Sequence, residues 1–268
     1  MNTIEAIILG IVQGLTEFLP VSSSGHLVMA QSLLGVEPDG GIVFEVAVHV
    51  ATLVAILLYY FKRVSSLTIG AFTGDGDAWR YIGKLAVATL PAIGIALTLR
   101  GFIEQQFGTP WVAGVMLLVT GCIVWTTRST ITKGTAEEPT WMQALIIGCA
   151  QAFAILPGIT RSGTTLATAM ALGMAPLAAA EFSFLMGVIA MAGAAVLLLP
   201  ELTSASPELM ASIWAGGAAA LISGLLALVA FVWLLKSKRI PCVCVVCVGG
   251  RIVLSRLALA NLTQATKP

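Results

Sequence analysis

The sequence predicts an all-α polytopic membrane protein, with about six spanning helices and two re-entrant helical hairpins arranged as two inverted-topology repeats. Three observations predict this fold class: an apolar composition, two matched polar interruptions and an internal repeat. Apolar residues occupy 58% of the 268 positions and charged residues only 10%, whereas an average soluble domain has about 25% charged residues. We therefore expect a single membrane domain over residues 1–268.

Six apolar stretches each approach the ~20 residues that a helix needs to cross the hydrocarbon core. They lie near 42–62, 83–100, 110–129, 182–200, 212–236 and 240–262. Two further apolar regions, 4–35 and 142–174, are interrupted by polar segments, which we call the first elbow (residues 20–26) and the second elbow (residues 157–163). Because backbone groups freed at an interruption cannot face lipid, we expect both elbows to lie inside the bundle.

An internal repeat relates two halves of the chain, about 4–130 and 142–262. Shifting the sequence by 138 positions aligns them without a gap; the matched pairs include Gly10 with Gly148, Gln13 with Gln151, Ser22 with Thr160, Ser24 with Ser162, Gly25 with Gly163 and Phe44 with Phe182. Lys and Arg concentrate in the 62–84 loop and the 236–239 turn, and the 201–211 loop has none. Since short cytoplasmic loops carry the excess of basic residues, the halves are expected to have opposite orientations.

Composition also excludes some classes of function. A net charge of +1 gives no basic field for nucleic acid, so we expect no nucleic-acid partner. Residues 1–10 lack Lys and Arg and no small-residue cleavage site follows, which argues against a removed signal peptide. Cys242, Cys244 and Cys247 form a CxCxxC run. A soft-metal site is one interpretation, but no second ligand cluster accompanies the run, so we favour packing inside a Val-rich helix.

Ionisable and hydroxyl side chains concentrate at the first elbow and just before it. Glu17, Ser22–Ser24 and His26 lie within ten residues, in a segment where polar groups are costly and usually functional. Glu17 could ligate a cation or hold His26, a Ser could attack or donate hydrogen bonds, and His26 could shuttle protons or attack phosphorus itself. The alternative is that the hydroxyls only cap a half-helix beginning near Gly25 and that His26 is a satisfied interior group.

The second elbow supplies a cation. Arg161 stands among hydroxyls and glycines at the predicted start of a half-helix, an arrangement that favours anion binding. The alternative, an Arg extending to the interface from a loop, is opposed by the repeat, because position 161 aligns with position 23. We predict a phosphate site shared by the two elbows and formed by Ser22, Ser24, Gly25, Thr160, Arg161, Ser162 and Gly163.

Two more acids lie early in predicted spanning helices. Glu45 and Glu181 flank the aligned Phe residues; either could support the site from behind, ligate a cation or lie in interfacial water. His49 follows Glu45 by one helical turn, and this i, i+4 spacing predicts a structural hydrogen bond between the two side chains.

The elbows, with Gln13 and Glu17 before the first and the segment 181–185 (Glu-Phe-Ser-Phe-Leu) after the second, closely resemble the bacterial undecaprenyl-diphosphate phosphatases, the bacitracin-resistance family. The resemblance extends from about residue 4 to about residue 239. Two long motifs in the family's order are far more specific than a short pattern such as GxGxxG. The final helix lacks the family's aromatic residue, so we carry nothing over beyond residue 240.

The resemblance implies hydrolysis of undecaprenyl diphosphate to the monophosphate and inorganic phosphate, assisted by a divalent cation such as Mg²⁺ or Ca²⁺. It also implies a multi-pass protein of the bacterial cytoplasmic (inner) membrane, with the site facing outward, that recycles the lipid carrier for peptidoglycan synthesis and confers bacitracin resistance. The family's acidic pair falls on Gln13 and Glu17, its Ser and His on Ser23 and His26, and its phosphate-binding Arg on Arg161. Gln13 departs from the all-Glu version of the motif, so we predict that it supports the site from behind rather than ligating a metal.

The residues leave the attacking atom open. Ser23 could attack with His26 as base, or His26 could attack directly; we favour Ser23 because a base lies three residues away. A transporter or flippase of a polyprenyl phosphate lipid is the rival function, since inverted repeats and broken helices suit it equally. The combination of Glu, Ser, His and Arg exceeds what an anion transport site needs, and a non-catalytic scaffold leaves both polar elbows unexplained.

Overall fold

A computed structural model describes residues 1–36, 41–99, 101, 110–156, 158–203 and 207–237. Over these residues the chain is helical, with one isolated β-bridge between Ala136 and Met174. The helices are α1 (Thr3–Phe18), α2 (Ser23–Leu34), α3 (Gly41–Tyr59), α4 (Phe61–Thr73), α5 (Gly76–Thr98), α6 (Pro110–Thr130), α7 (Trp141–Phe153), α8 (Arg161–Ala171), α9 (Pro176–Thr203) and α10 (Pro207–Lys236).

Three helical stretches in the described part are long and apolar enough to cross a membrane: Gly76–Thr98, Pro176–Gly193 and Leu209–Lys236. The bent pair α3 and α4, which meet at 80°, makes a fourth if it is counted as one span. The apolar stretches predicted at 42–62, 83–100, 110–129, 182–200 and 212–236 all form helices, α3, α5, α6, α9 and α10. The stretch predicted at 240–262, with Cys242, Cys244 and Cys247, lies outside the described residues.

The predicted 62–84 loop is wrong. Helix α4 occupies Phe61–Thr73, and α5 begins already at Gly76. The basic residues led to the prediction of a loop, but Lys and Arg are good helix formers. The helix is interrupted only where the sequence provides a helix C-terminus followed by a helix N-cap. Gly74 ends α4 in a left-handed conformation (φ 80°), and the Asp75 side chain then caps α5 by accepting from the Asp77 N–H.

The two interrupted regions form helix pairs whose starting points correspond. Helices α1 and α7 each begin with a capping box, at Asn2 and at Thr140. Helices α2 and α8 begin at Ser23 and Arg161. Both correspondences have the 138-residue spacing of the sequence repeat.

Close helix packing fixes the first helix of each pair. A Cβ added at Gly10 of α1 would lie 2.1 Å from the Gly216 carbonyl oxygen on α10, and one added at Gly148 of α7 would lie 2.3 Å from the Ala88 carbonyl oxygen on α5. Small residues at such crossings let helix backbones approach closely in a membrane bundle. As a result α1 lies against α10 and α7 against α5.

Candidate active site

One cavity of about 560 Å³ joins the two elbows. Its walls come from the ends of α1 and α7, the starts of α2 and α8, and the facing sides of α3, α5 and α9. The polar residues that line it are Glu17, Ser22, Ser23, Ser24, His49, Thr89, Gln151, Thr160, Arg161 and Ser162. The expected meeting of the elbows inside the bundle is therefore what the structure shows.

The first elbow turns sharply. Helix α1 ends at Phe18 and α2 begins at Ser23, and the linking Ser22 has φ 66°, the one positive φ outside glycine in the described chain. A non-glycine residue in this region carries strain, and such residues cluster at functional sites. The reversal places the Ser23 hydroxyl beside the end of α1, where Ser23 Oγ donates to Glu17 Oε2 at 2.7 Å.

The second elbow is held by a neighbouring helix. Thr120 of α6 donates from its hydroxyl to the Gly158 carbonyl (2.8 Å) and accepts from the Thr160 N–H (2.9 Å). Thr160 in turn caps α8 by accepting from the Gly163 N–H at 3.3 Å. The sequence did not indicate the role of Thr120, which depends on a contact between distant segments. Pro157 lies outside the described residues.

The buried carboxylate of Glu17 is the centre of the site. Its Oε1 accepts from Arg161 Nη2 at 2.5 Å, while its Oε2 accepts from Gln13 Nε2 at 2.9 Å as well as from the Ser23 hydroxyl. The Ser162 hydroxyl donates to the Glu17 main-chain oxygen at 3.3 Å. The structure thus brings Ser23 of the first elbow and Arg161 of the second elbow onto one side chain. Gln13 of α1, predicted to support the site from behind, contacts the same carboxylate directly.

A missing side chain on α9 makes room for the guanidinium. A Cβ added at Gly187 would lie 1.6 Å from Arg161 Nη1, far inside van der Waals contact. Arg161 Nη2 also lies 3.8 Å from Met191 Sδ. Arg161 is therefore held between the Glu17 carboxylate and α9 and is only partly exposed, with 21% of its side-chain surface accessible.

The two histidines differ from the sequence predictions. His49 lines the cavity, and its Nε2 lies 3.7 Å from Glu17 Oε2. His26 is not among the residues lining this cavity, and its Nδ1 lies 2.9 Å from the Ser22 main-chain oxygen. The expected bond between the His49 and Glu45 side chains is wrong, because His49 Nδ1 pairs instead with the Glu45 main-chain oxygen at 2.7 Å. His49 is the ionisable residue of the site that sequence analysis missed.

The two acids predicted behind the site have other partners. The Glu45 carboxylate accepts from Gln31 Nε2 at 3.0 Å. Glu181 accepts from Arg63 Nε at 2.8 Å and from the Tyr81 hydroxyl at 3.4 Å. The recorded side-chain bonds of Glu181 tie α9 to α4 and α5, and none of them reaches Glu17 or Arg161.

The donor set bears on the predicted divalent cation. Within the described residues no three His, Cys, Asp or Glu side chains are grouped so that they could hold a metal ion. The cavity offers one carboxylate, Glu17, whose neighbours are already a guanidinium, an amide and a hydroxyl. These residues do not fit a cation held by protein ligands alone. They fit one that receives most of its ligands from a substrate diphosphate, as Mg²⁺ commonly does.

Apolar helices that can cross a bilayer, surrounding a buried carboxylate–guanidinium site, define a helical integral membrane protein. The comparison with protein families gives the finer assignment: the chain belongs to the family described as bacitracin resistance protein BacA, which it matches over residues 6–252.

Individual relatives agree with this assignment. The chain is 36% identical to the undecaprenyl-diphosphatase of Desulfatibacillum aliphaticivorans over 257 residues, which cover 89% of this chain and 91% of the relative. It is 34% identical to the undecaprenyl-diphosphatase of Desulforapulum autotrophicum over 256 residues, 89% and 92% of the two chains. It is 40% identical to undecaprenyl-diphosphatase 1 of Pseudoalteromonas translucida over 197 residues, 70% and 73% of the two chains.

Proposed function

We propose that this protein is an undecaprenyl-diphosphatase, which hydrolyses undecaprenyl diphosphate to undecaprenyl phosphate and inorganic phosphate. The names of its relatives support the activity. The observation that carries the proposal is the contact of one buried carboxylate, Glu17, with a hydroxyl from one elbow and a guanidinium from the other. A hydroxyl nucleophile, an acid–base group and an anion-binding cation in one cavity are the parts that phosphoryl transfer requires.

The diphosphate binds between the starts of α2 and α8. Arg161 supplies a planar fork of donors suited to phosphate. Among the described residues, no side chain caps the first turn of α2, so the N–H groups at its N-terminus are available to the same anion. Ser22 and Ser24, which line the cavity beside Ser23, add hydroxyl donors. Together these groups neutralise the charge that shifts as the bond to phosphorus breaks.

Ser23 is the proposed nucleophile. Its oxygen attacks the terminal phosphorus, a Ser23 O–P bond forms, and the bond from that phosphorus to the lipid monophosphate breaks. The hydroxyl proton passes to Glu17 Oε2, its hydrogen-bond partner at 2.7 Å. Water then attacks the phosphoserine, the Ser23 O–P bond breaks, Glu17 returns the proton to Ser23, and the proton lost by water leaves with inorganic phosphate.

His49 and His26 have different proposed parts. His49 Nε2 lies 3.7 Å from the Glu17 oxygen that accepts from Ser23, so we place His49 next to the proton path. The role predicted for His26, as base or nucleophile, stays a prediction, because His26 is outside the set of cavity-lining residues. A divalent cation held by Glu17 and the substrate phosphates would neutralise diphosphate charge.

The apolar wall of the cavity suits the lipid tail. Ile93 and Leu97 of α5 line it, as does Ile155, which also lines an adjoining apolar groove of about 430 Å³ between α5 and α7. The cavity is polar at the elbows and apolar along α5 and α7. This arrangement matches an isoprenyl diphosphate, which has a charged diphosphate at one end and an apolar chain at the other.

The proposal extends to the setting of the enzyme. We place it in the bacterial cytoplasmic membrane, as two inverted-topology repeats with the site facing outward, where it recycles the carrier of peptidoglycan synthesis and so counters bacitracin. The matched starts of α1 with α7 and of α2 with α8 support the repeat. The orientation can be tested with single cysteines placed in the 131–140 connection and at the 74–75 turn. Their labelling is compared from each side of the membrane.

Phosphate release by the purified protein from a long-chain isoprenyl diphosphate, with and without Mg²⁺, tests the activity. We expect release by the wild type, none by Ser23→Ala, and a phosphoserine at position 23 after quenching in denaturant at neutral pH, where phosphoserine and the acid-labile phosphohistidine both survive. Trapped phosphate at position 26 instead would assign the attack to His26. A wild type that releases nothing yet transfers a polyprenyl phosphate across vesicle membranes would establish the rival function, a flippase.

A further inference from the structure

Gln151 is a buried amide that no part of the described chain satisfies. It lies near the end of α7, is only 2% exposed, and lines the cavity that holds Glu17 and Arg161. Both polar atoms of its side chain, Oε1 and Nε2, lack a hydrogen-bond partner within the described residues. Leaving a buried amide unpaired costs free energy, and proteins seldom leave both ends unpaired without a reason.

The sequence repeat identifies the hydrogen-bond partner that Gln151 lacks. Its counterpart Gln13 donates from Nε2 to Glu17, four residues further along the same helix, at 2.9 Å. The residue four positions after Gln151 is Ile155, which offers no acceptor. In the first half, Gln13 donates to a carboxylate from Nε2, although its Oε1 has no partner within the described residues. In the second half, neither polar atom of Gln151 has a partner there.

We propose that Gln151 is a substrate-binding residue whose Nε2 donates to a non-bridging oxygen of the bound diphosphate. This inference rests on the proposed function and names a donor for it beyond the elbows themselves. Gln151 is a neutral donor, so it adds a hydrogen bond to the anion without a charge that would hold the product. A hydrogen bond to a charged partner is stronger than one between neutral groups, so the ligand would offset the cost of keeping Gln151 unpaired.

A phosphate-binding role and a structural role predict opposite effects on stability. If Gln151 supported the fold, its replacement would lower the melting temperature. If it waits for a ligand, Gln151→Met removes two unsatisfied polar atoms from a buried position and leaves the ligand-free melting temperature unchanged or raised. The same substitution must then weaken binding of the anion.

The experiment measures phosphate release from a long-chain isoprenyl diphosphate by wild type, Gln151→Met and Gln151→Glu, together with the melting temperature of each in detergent. We expect Gln151→Met to raise KM about tenfold to a hundredfold with a smaller change in kcat. Gln151→Glu should raise KM further, because a carboxylate repels the diphosphate. The matched control is Thr164→Val, which removes another buried unpaired polar atom, on α8, away from the cavity lining, and should leave KM unchanged.

A second measurement does not depend on turnover. Inorganic pyrophosphate should raise the melting temperature of the wild type and raise that of Gln151→Met by less than half as much. An unchanged KM in Gln151→Met, or an equal pyrophosphate shift in both proteins, overturns the inference while leaving the proposed function intact. A wild type that binds pyrophosphate through Gln151 but releases no phosphate overturns the proposed function instead.

Discussion

The two elbows have the same backbone plan and opposite chemistry. In each, a helix that begins with a capping box leads into a polar turn, and a second helix begins beyond it, at Ser23 in one case and at Arg161 in the other. The first elbow and the end of α1 that leads into it contribute the Ser23 hydroxyl and the Glu17 carboxylate, and the second elbow contributes the Arg161 guanidinium. The comparison teaches that matched helix starts can carry different site residues, because two pairs of positions 138 residues apart, Ser23 with Arg161 and Glu17 with Ile155, differ in chemistry.

The largest effect should come from removing the cation of the second elbow. Arg161→Ala should lower kcat/KM about 10³-fold, because it removes the charged donor for the phosphates. Arg161→Lys should recover little, since a point charge cannot replace the planar fork. Phosphate release is the measurement, and Arg80→Ala, at an exposed arginine of α5, is the control. Retention of a tenth of the activity by Arg161→Ala would remove Arg161 from the mechanism.

The Arg161 variant also leaves Glu17 buried without its ion-pair partner. Unpairing a buried charge typically costs about 3 kcal/mol or more of unfolding free energy, so the melting temperature should fall as well. The double variant Arg161→Ala with Glu17→Gln should recover the stability and not the activity. Recovery of both would show that Arg161 acts only through folding.

Removing the Glu17 carboxylate at the end of α1 should have the next largest effect. Glu17→Gln keeps the shape of the side chain but cannot take the Ser23 proton, so kcat should fall about 10²-fold or more. The exposed Glu137 provides the control, Glu137→Gln. The measurement is kcat, obtained from phosphate release as a function of time. An unchanged kcat in Glu17→Gln would show that Glu17 does not accept the Ser23 proton.

Gly187 tests how tightly the second elbow is positioned. Gly187→Ala should displace the guanidinium, since the added Cβ would lie 1.6 Å from Arg161 Nη1, and kcat/KM should fall roughly thirtyfold, within the range for a misplaced binding group. Gly94→Ala on α5, where an added Cβ meets nothing within 4 Å, is the matched control. Equal activity of the two variants would show that Arg161 can reach the phosphates from another position.

The histidines give a smaller and more local test. His49→Gln should lower kcat/KM about tenfold, because it removes a neighbour of the Glu17 oxygen that accepts from Ser23. His26→Gln is the parallel variant, measured in the same phosphate assay. If His26→Gln lowers kcat/KM more than His49→Gln does, the group that accepts the Ser23 proton would be assigned to His26 instead of Glu17.

The capping boxes should respond alike, because they belong to the shared backbone plan. Asn2→Ala and Thr140→Ala each remove an N-cap, and each should lower the free energy of unfolding by about 1 kcal/mol. Thermal unfolding in detergent measures both. A difference of several kcal/mol between them would show that the two halves of the repeat do not contribute equally to folding.

Much of the fold could be predicted because its signals are local. Apolar length indicated α3, α5, α6, α9 and α10, and an ungapped repeat placed the starts of α2 and α8 at equivalent positions. Helix α4 was missed because an excess of basic residues indicates which side of the membrane a segment faces and does not indicate whether the segment is helical. Its end depends on Gly74, whose left-handed backbone is visible only in the structure.

The site could be predicted only as far as sequence proximity reaches. His26 lies three residues from Ser23 and was the natural candidate for a base, whereas His49 reaches Glu17 from a separate helix. No periodicity reports such a contact. The unpaired amide of Gln151 likewise follows from the absence of partners among the described residues, although the replacement of Glu17 by Ile155 at the aligned position is visible in the sequence.

The contact between Glu17 and Arg161 means that the ligand-free site already contains a competitor for the guanidinium. An incoming anion must exchange places with a carboxylate held at 2.5 Å, so its affinity depends on how far its own charge exceeds that of a single carboxylate. A diphosphate meets this requirement better than a monophosphate does. In the proposed reaction, the charge at the site falls once the first product has left. Glu17 would then return to Arg161 and compete with the product that remains.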